Sequence, residues 1–332
     1  MKGTVRFLFL IPDLDRSAAF RLRLRLERSR LHRLVPRDER MRTGGVSGGT
    51  LNIMRHCALA RSLGADAVLA TESGRDSYGP VFGVDRLPFV AWGDRRRDDV
   101  CIVPDIYTSR IREIRGWAIA YEQSPVFVRH DFDFRSEKVL VWTDSPHMLS
   151  ICKREYPDKD IPIVPNIVDE SIFPFIAQSH RRAGELMAFP RKGPEFIAAT
   201  MDAYHARGGS YWTCNLVDGL SLEALALRFR TPQVFLASAD VEGCALPPQK
   251  AIAAGIVVVG RDADDANFYM KNDETAVVAQ TPDKAAEALL AVEKPGLRER
   301  LAQAGHAYIG RFFKQGEPSQ FWREVIADPR WA

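Results

Sequence analysis

Short apolar runs alternate with amphipathic segments along the chain. Runs of strand length occur at FLFLI (7–11), AVLAT (67–71) and KVLVWTD (138–144), and again at QVFLASA and IVVVG (256–260). Most are bounded by charged or turn residues, which is typical of parallel strands that are buried on both faces. The intervening segments, such as PEFIAATMDAYHARGG (194–209), carry helical periodicity. The alternation predicts an α/β fold with parallel sheets that are covered by helices.

The stretch VDESIFPFIAQSHRRAG (168–184) interrupts this alternation. It has neither helical nor strand periodicity, so we interpret it as the connection between two Rossmann-like domains. The first domain is predicted over residues 1–172 and the second over 180–315, with a cleft between them. Ligands of open α/β sheets bind beyond the carboxyl ends of the strands, which places the candidate site in this cleft. The aromatic C-terminal helix, about 316–332, is expected to pack back on the first domain or to dock on a second subunit in a homodimer.

The composition is that of a soluble globular protein, since 46% of the 332 residues are apolar and 27% are charged. The five cysteines are scattered without a CxxC pair, which argues against a disulfide framework and against a zinc site. A reducing cytoplasm is therefore the expected location. The apolar runs are shorter than the about 18 residues that a membrane-spanning helix needs.

Positive charge is concentrated near the N-terminus. Residues 1–60 hold 13 Lys and Arg against 5 Asp and Glu, most of them within 16–42. One interpretation is a basic surface for anionic lipid headgroups or a phosphorylated acceptor, with the protein peripheral on the inner face of the membrane. The other is a solvated, arginine-rich face. Nucleic acid is not expected as a partner, because aromatic residues are not interleaved with the basic ones.

The second half carries four motifs in order. MAFPRKG (187–193) ends a predicted strand with two cations, VFLASAD (234–240) is a strand, EGCALPPQKAIAAG (242–255) is a loop that leads into a helix, and IVVVG (256–260) is the next strand. In the first half the glycine-rich turn TGGVSGG precedes a helix, and IPIVPNIVDESIF (161–173) ends that half. Together these motifs resemble the GT-B glycosyltransferases, in particular the retaining family 4 type.

The resemblance covers most of residues 44–290 and implies the GT-B fold. It also implies retaining transfer of a sugar from a nucleotide-sugar donor on the second domain to an acceptor on the first. A UDP-, GDP- or dTDP-sugar and a glycan or lipid-linked acceptor are expected, as in polysaccharide or glycoconjugate biosynthesis. No cofactor and no metal are expected, because side chains supply the positive charge at the leaving diphosphate in this family.

The candidate catalytic residues are Arg191, Lys192 and Glu242. Fixed cations at a leaving diphosphate stabilise the transition state more than the ground state, and the two basic residues follow a predicted strand directly. The alternative for them is a pair of solvated loop charges. By resemblance, Glu242 contacts hydroxyls of the transferred sugar; the alternative is an acid that is stabilised at a helix N-terminus.

The candidate donor-binding groups lie in two backbone segments and one side chain. Glycines in the turn before a helix, and the residues after Glu242, leave backbone N–H groups open to a phosphate or a sugar. These residues are Gly44, Gly45, Gly48, Gly243, Cys244, Ala245 and Leu246, together with Lys250. The paired glycines do not match the G-x-G-x-x-G fingerprint, which counts against a dinucleotide oxidoreductase.

Lys250 departs from the family pattern. The resemblance places a second glutamate there, whose carboxylate accepts both ribose hydroxyls of the nucleotide, whereas a lysine ammonium has three donors and no acceptor. Three interpretations stay open: the lysine binds a phosphate, it pairs with Glu242 or another acid, or the donor site has been lost.

The first domain departs from the pattern as well. Many family members place a histidine after a central strand, where this chain has Glu122 and Gln123. The nearby His130 is more simply a surface or loop residue. These departures motivate an alternative function, namely a catalytically degenerate GT-B protein that binds a nucleotide, a glycan or a partner. A sugar-nucleotide epimerase on the same fold is a further alternative.

Overall fold

The computed structural model describes residues 5–27, 41–312 and 316–331. In these residues the strands are β1 (Arg6–Leu10), β2 (Asp13–Leu14), β3 (Arg42–Thr43), β4 (Asp66–Thr71), β5 (Phe89–Ala91), β6 (Val100–Pro104), β7 (Trp117–Glu122), β8 (Val139–Thr143), β9 (Glu185–Ala188), β10 (Thr213–Leu216), β11 (Val234–Ala237), β12 (Val257–Gly260) and β13 (Val277–Val278). The α-helices are α1 (Ala18–Glu27), α2 (Gly48–Ser62), α3 (Pro146–Glu155), α4 (Pro194–Ala206), α5 (Leu222–Arg228), α6 (Leu246–Ala253), α7 (Pro282–Ala291), α8 (Pro295–Phe312) and α9 (Gly316–Ala327).

The described strands form two large parallel sheets. The first has the order β5-β4-β1-β6-β7-β8 and the second the order β10-β9-β11-β12-β13, while β2 and β3 make a small separate pair. Every pairing within the two large sheets is parallel, and in the first sheet Phe7 of β1 lies opposite Ala67 on one side and Val100 on the other. The predicted α/β class with parallel sheets is therefore confirmed.

Each sheet is buried on both faces because its central strands are apolar throughout. In β1, Phe7 and Phe9 pack in the layer that contains α2 and α9, whereas Leu8 and Leu10 pack in the opposite layer with Met148 of α3. The second sheet repeats this division: β11 turns alternate side chains toward α4 and α7 on one face and toward α6 and α8 on the other. Such two-sided burial explains why the sequence shows continuous apolar runs.

Several helices begin at a polar residue that caps their first backbone N–H groups. The side-chain oxygens of Ser47, Ser145, Ser221 and Thr281 each accept a hydrogen bond from the backbone N–H three residues further on. The capped ends of α2 and α3 lie beyond the carboxyl ends of the first sheet, where the site is found.

The segment that joins the two halves is anchored by Arg181. This guanidinium is buried and donates to the carbonyl oxygens of Ile176 (3.1 Å), Phe229 (3.0 Å) and Pro232 (3.0 Å), and also to that of Ala254. Burial lowers its pKa to about 10, and its acceptors are main-chain carbonyls. The connection predicted at 168–184 therefore has no regular strand, yet it is fixed to the second half.

Helix α9 returns from the second half to the first sheet. Trp322 is fully buried, with ring centroids 5.8 Å from Phe7 and 5.4 Å from Phe9, and its Nε1 donates to His56 Nδ1 at 3.0 Å. Burial, and to a lesser degree the charge of Arg55, lowers the pKa of His56 to about 3, so this imidazole is neutral and accepts the bond. The aromatic C-terminal segment thus packs within its own chain, while the domain limits 1–172 and 180–315 stay predictions.

Candidate active site

A cleft of about 780 Å³ lies between the carboxyl ends of the two sheets. From the first half it is lined by residues that follow β1, β6, β7 and β8, and by the N-terminal turn of α2. From the second half it is lined by residues that follow β9 and β11 and by the first turns of α6. The position agrees with the general rule for open α/β sheets.

Arg191, Lys192 and Glu242 come together in this cleft. Lys192 Nζ lies 2.7 Å from Glu242 Oε1, and Arg191 lines the same wall. The loop after β9 is held against β11, since Ser238 Oγ donates to Lys192 O at 2.6 Å. Gly193 has φ 69°, and a Cβ there would lie 2.3 Å from Ser238 O, so glycine is required at this close approach. Among the described residues, no carboxylate pairs with Arg191.

The loop from Glu242 to Leu246 touches the first half. Ser145 Oγ donates to Gly243 O at 2.7 Å, so the residue that caps α3 also holds this loop. The N–H of Ala245 donates to Asn267 Oδ1 at 2.9 Å. In this structure the Ala245 N–H is therefore bonded within the protein, and its donor-binding role stays a prediction. Gly243, Cys244, Ala245 and Leu246 all line the cleft, and donor binding by this loop stays a prediction.

Replacing Gly243 by alanine is expected to disturb the contact between the two halves. A Cβ at this position would lie 2.0 Å from the Gln123 carbonyl oxygen and 3.2 Å from Met148 Cγ. Overpacking of this kind typically costs about 1–3 kcal/mol, and denaturant unfolding measures it. Gly45→Ala is the matched control, since no atom lies within 4 Å of its added Cβ. Equal stability of the two variants would contradict the close approach.

The glycine-rich turn reaches the cleft with its second half. Gly48 lines the cleft, and a Cβ on it would lie 3.0 Å from Leu246 Cδ1, so the two loops approach each other here. Gly44 and Gly45 do not line the cleft, and their donor-binding role stays a prediction. They precede α2 on the side of α1, where a Cβ on Gly44 would meet Leu24 at 3.1 Å.

Lys250 is buried on α6, and its side chain lines the cleft. Its Nζ lies 5.4 Å from the centre of the Phe173 ring, and no carboxylate pairs with it among the residues that the structure describes. The interpretation in which Lys250 pairs with Glu242 is therefore not supported, because Glu242 pairs with Lys192. Burial, and then the charge of Arg55, lowers the pKa of Lys250 to about 7.

This burial predicts that Lys250→Met stabilises the fold. Because the pKa of Lys250 drops from 10.5 to about 7, the unfolded chain binds more protons between these pH values, and stability rises with pH across that window. Below pH 7 the cost of the buried charge is complete. Met keeps the length of the side chain without the charge, so the free energy of unfolding at pH 6 should rise by up to about 5 kcal/mol.

Denaturant unfolding between pH 6 and 10 measures this effect. The exposed Lys284, which pairs with Glu287 at 2.8 Å on the surface, provides the control Lys284→Met. That variant should differ from the parent protein by less than about 0.5 kcal/mol. A Lys250→Met protein with unchanged stability and unchanged pH dependence would show that the amine is well solvated.

Three buried acids follow neighbouring strands of the first sheet and were not predicted as site residues. Asp105 follows β6, Glu122 ends β7, and Asp144 follows β8; Asp105 and Asp144 line the cleft. Burial raises the pKa of Asp105 to about 6 and that of Glu122 to about 8, and it raises the pKa of Asp144 well above its ordinary value. In the sequence each of these three acids stands at the end of an apolar run, and this pattern is the signal that could have identified them.

After β7, Gln123 lines the cleft, and Glu122 at the end of that strand is buried. His130 lies on the surface, with its Nε2 3.0 Å from Glu155 Oε2, as the sequence indicated. In the part of the chain that the structure describes, no group of three or more His, Cys, Asp or Glu side chains is arranged to hold a metal ion.

The basic segment 16–42 is described only in part, since residues 28–40 lie outside the described residues. Arg16 lines the cleft, and in α1 the side chain of Leu22 is 58% exposed. Within the ranges that the structure describes, none of the helices combines the length and the apolar character needed to cross a membrane.

No protein-family model and no curated protein gives a significant match to the sequence. Among solved structures, the chain is similar to a glycosyltransferase from Rickettsia africae, with a TM-score of 0.66, 9% identity, and coverage of 98% of each chain. It is also similar to sucrose-phosphate synthase from Thermosynechococcus elongatus, with a TM-score of 0.64, 11% identity, and coverage of 97% of this chain and 99% of that one. HepE from Anabaena, solved in complex with UDP, gives a TM-score of 0.63 and 11% identity over 97% of this chain and 100% of its own. The chain therefore has the GT-B fold, with two Rossmann-like domains on either side of a cleft.

Proposed function

We propose that the protein is a glycosyltransferase that moves a sugar from a nucleotide-sugar donor to a glycan or lipid-linked acceptor. The observation that carries this proposal is the meeting of Arg191, Lys192 and Glu242 on one wall of the cleft of a GT-B fold. Similarity in fold to glycosyltransferases supports it, and one of the similar proteins was solved with UDP.

In this proposal Arg191 and Lys192 hold the diphosphate of the donor. When the bond between the anomeric carbon and the phosphate oxygen breaks, its electron pair stays on the diphosphate. Two cations fixed beside that oxygen stabilise this charge as it develops. Lys192 is paired with Glu242 in the structure, so it sits 2.7 Å from the carboxylate that we assign to the transferred sugar. The side chains supply the positive charge, and we therefore propose a reaction that does not require a metal.

The acceptor would approach from the first half of the cleft. Its hydroxyl oxygen forms a bond to the anomeric carbon, and its proton passes to the leaving phosphate oxygen on the same face, which gives retention. The turn at Gly48 and the wall formed by Gln123 and Asp144 face this space. Arg16 in the cleft wall and exposed Leu22 on α1 are consistent with a lipid-linked acceptor and with peripheral contact at the inner face of a membrane.

A transfer assay tests the proposal. The protein is incubated with radiolabelled UDP-, GDP- and dTDP-sugars and with lipid extracted from membranes of its own cells. We expect label from one donor to enter the lipid or glycan fraction with release of the nucleoside diphosphate. The anomeric configuration of the product, read by NMR, tests retention separately. Absence of transfer from all donors, or conversion of the donor sugar to its epimer, would contradict the proposal.

A further inference from the structure

Lys250 combines two properties that need an explanation together. It is 6% exposed, and yet it lines the cleft in which the donor is proposed to bind. A buried ammonium is normally paired with a carboxylate, because burial of an unpaired charge is costly. Among the described residues Lys250 has no such partner, so a buried residue with an unpaired amine lines the cleft.

The charged groups around Lys250 do not offset its charge. Arg55 of α2 is also buried; its Nη1 donates to Ile167 O at 3.0 Å, and its Nε and Nη2 have no hydrogen-bond partner among the described residues. On the connecting segment, the charge of Asp169 partly offsets the lowering of the Arg55 pKa by burial. Glu170 Oε1 on the same segment lies 3.8 Å from His306 Nε2 of α8. None of these carboxylates pairs with Lys250, whose pKa is lowered further by the charge of Arg55.

The remaining neighbours are also engaged elsewhere. His306 Nδ1 lies 2.8 Å from Ala253 O at the end of α6, and the Glu242 carboxylate before α6 is held by Lys192. Protonation of Lys250 therefore adds a positive charge that Arg55 repels, and among the described residues no carboxylate pairs with Lys250 to balance it. Burial, with a smaller contribution from Arg55, accordingly lowers the pKa of Lys250 to about 7.

The chemistry of the donor indicates which of its groups the Lys250 amine can bind. A nucleotide sugar carries its negative charge on the diphosphate, which we assign to Arg191 and Lys192, and the rest of the molecule is uncharged and rich in hydroxyls. An ammonium has three donors and no acceptor, so it cannot accept a bond from a hydroxyl. An uncharged amine keeps a lone pair that can, and it still donates two N–H groups.

We propose that Lys250 binds the donor as an uncharged amine that accepts a hydrogen bond from a sugar hydroxyl, so that donor binding strengthens as the pH rises. The inference rests on the proposed function, since it takes a nucleotide sugar as the ligand. The amine then accepts this hydrogen bond without placing a negative charge next to the donor.

The expected change of donor affinity with pH follows from the protonation equilibrium of Lys250. If binding requires the uncharged form, the observed affinity is proportional to the fraction of Lys250 that is unprotonated. With half-protonation near pH 7, affinity at pH 6 should be about tenfold weaker than at pH 8.5. An ammonium that binds an anion would give the opposite slope.

Calorimetric titration at pH 6, 7 and 8.5 tests the inference, with UDP-glucose, GDP-mannose, dTDP-glucose, UDP, GDP and dTDP as probes. The nucleotide sugars are the main probes because their diphosphates do not titrate in this range, whereas a terminal phosphate titrates near pH 6, about the value for a phosphate monoester. Lys250→Gln is the matched variant: its amide accepts and donates hydrogen bonds but does not titrate. We expect it to bind with an affinity that does not vary with pH, while the parent protein shows the tenfold change.

The probes also distinguish between the two sources of this hydroxyl, which are the ribose of the nucleotide and the transferred sugar. If the pH effect is present with UDP or GDP alone and is lost with the 2′-deoxy or 3′-deoxy nucleotide, the ribose supplies the hydroxyl. If it requires the nucleotide sugar, the transferred sugar supplies it. Binding of the parent protein that is flat with pH, or weaker at high pH, overturns the inference and leaves the proposed function intact. Absence of binding for all six probes in both proteins contradicts the proposed donor itself, and the inference with it.

Discussion

Replacing Arg191 and Lys192 together by alanine is expected to lower the rate of sugar transfer at least about 100-fold. Removal of a single group that stabilises a developing oxyanion typically costs about 100- to 1,000-fold in rate. Both cations lie at the end of β9 on one wall of the cleft, and no carboxylate among the described residues pairs with Arg191. The loss should fall mainly on kcat, because the charge that these cations stabilise develops in the transition state.

The control for this variant is Arg207→Ala. Arg207 follows α4 on the surface, where it pairs with Asp283 at 2.7 Å, and it does not line the cleft. Its replacement removes a cation from the same half of the protein, and activity should stay within about twofold. If the double variant kept full activity, or if Arg207→Ala lost as much, the assignment of the diphosphate to Arg191 and Lys192 would be wrong.

Replacing Trp322 by alanine should give the largest change in stability. Its side chain is fully buried between α9 and the first sheet, in contact with Phe7, Phe9 and Trp142. Truncation of a buried tryptophan typically costs about 3–5 kcal/mol, through lost transfer free energy and the cavity that remains. The variant also leaves His56 Nδ1 without the N–H that Trp322 donates to it.

Denaturant unfolding followed by circular dichroism measures this change. Leu227→Ala serves as the control, because Leu227 on α5 is 61% exposed and its truncation should cost less than about 0.5 kcal/mol. A loss below 1 kcal/mol for Trp322→Ala would mean that α9 contributes little to the stability of the first sheet. A single cooperative loss would instead show that the C-terminal helix unfolds together with that sheet.

The fold was predictable because its strands are buried on both faces. An apolar run such as FLFLI needs no tertiary information to be recognised as a strand, and β1 occupies Arg6–Leu10. The strand β5, Phe89–Ala91, was missed, since it is three residues long and only half-buried at the edge of the sheet. The pair β2 and β3 was missed for the same reason, as two residues carry no periodicity.

The site was predictable where function is tied to a strand end. Arg191 and Lys192 follow β9, and the loop after β11 brings Glu242 to them, because parallel strands end at the same edge of a sheet. The positions of Gly44 and Gly45 depend on how α1 packs against their turn, which the sequence did not reveal. The burial of Lys250 beside Arg55 also required the structure, since the two residues are far apart in the sequence and come from different halves.

The central claim is that the cleft binds a nucleotide-sugar donor through Arg191 and Lys192. The most direct test is calorimetric titration of the purified protein, and of the double alanine variant, with UDP, GDP, dTDP and ADP at pH 8. We predict micromolar binding of one nucleotide to the parent protein, which identifies the base, and a loss of at least about tenfold in the variant. Absence of binding for all four nucleotides, or equal affinity in the two proteins, would contradict the claim.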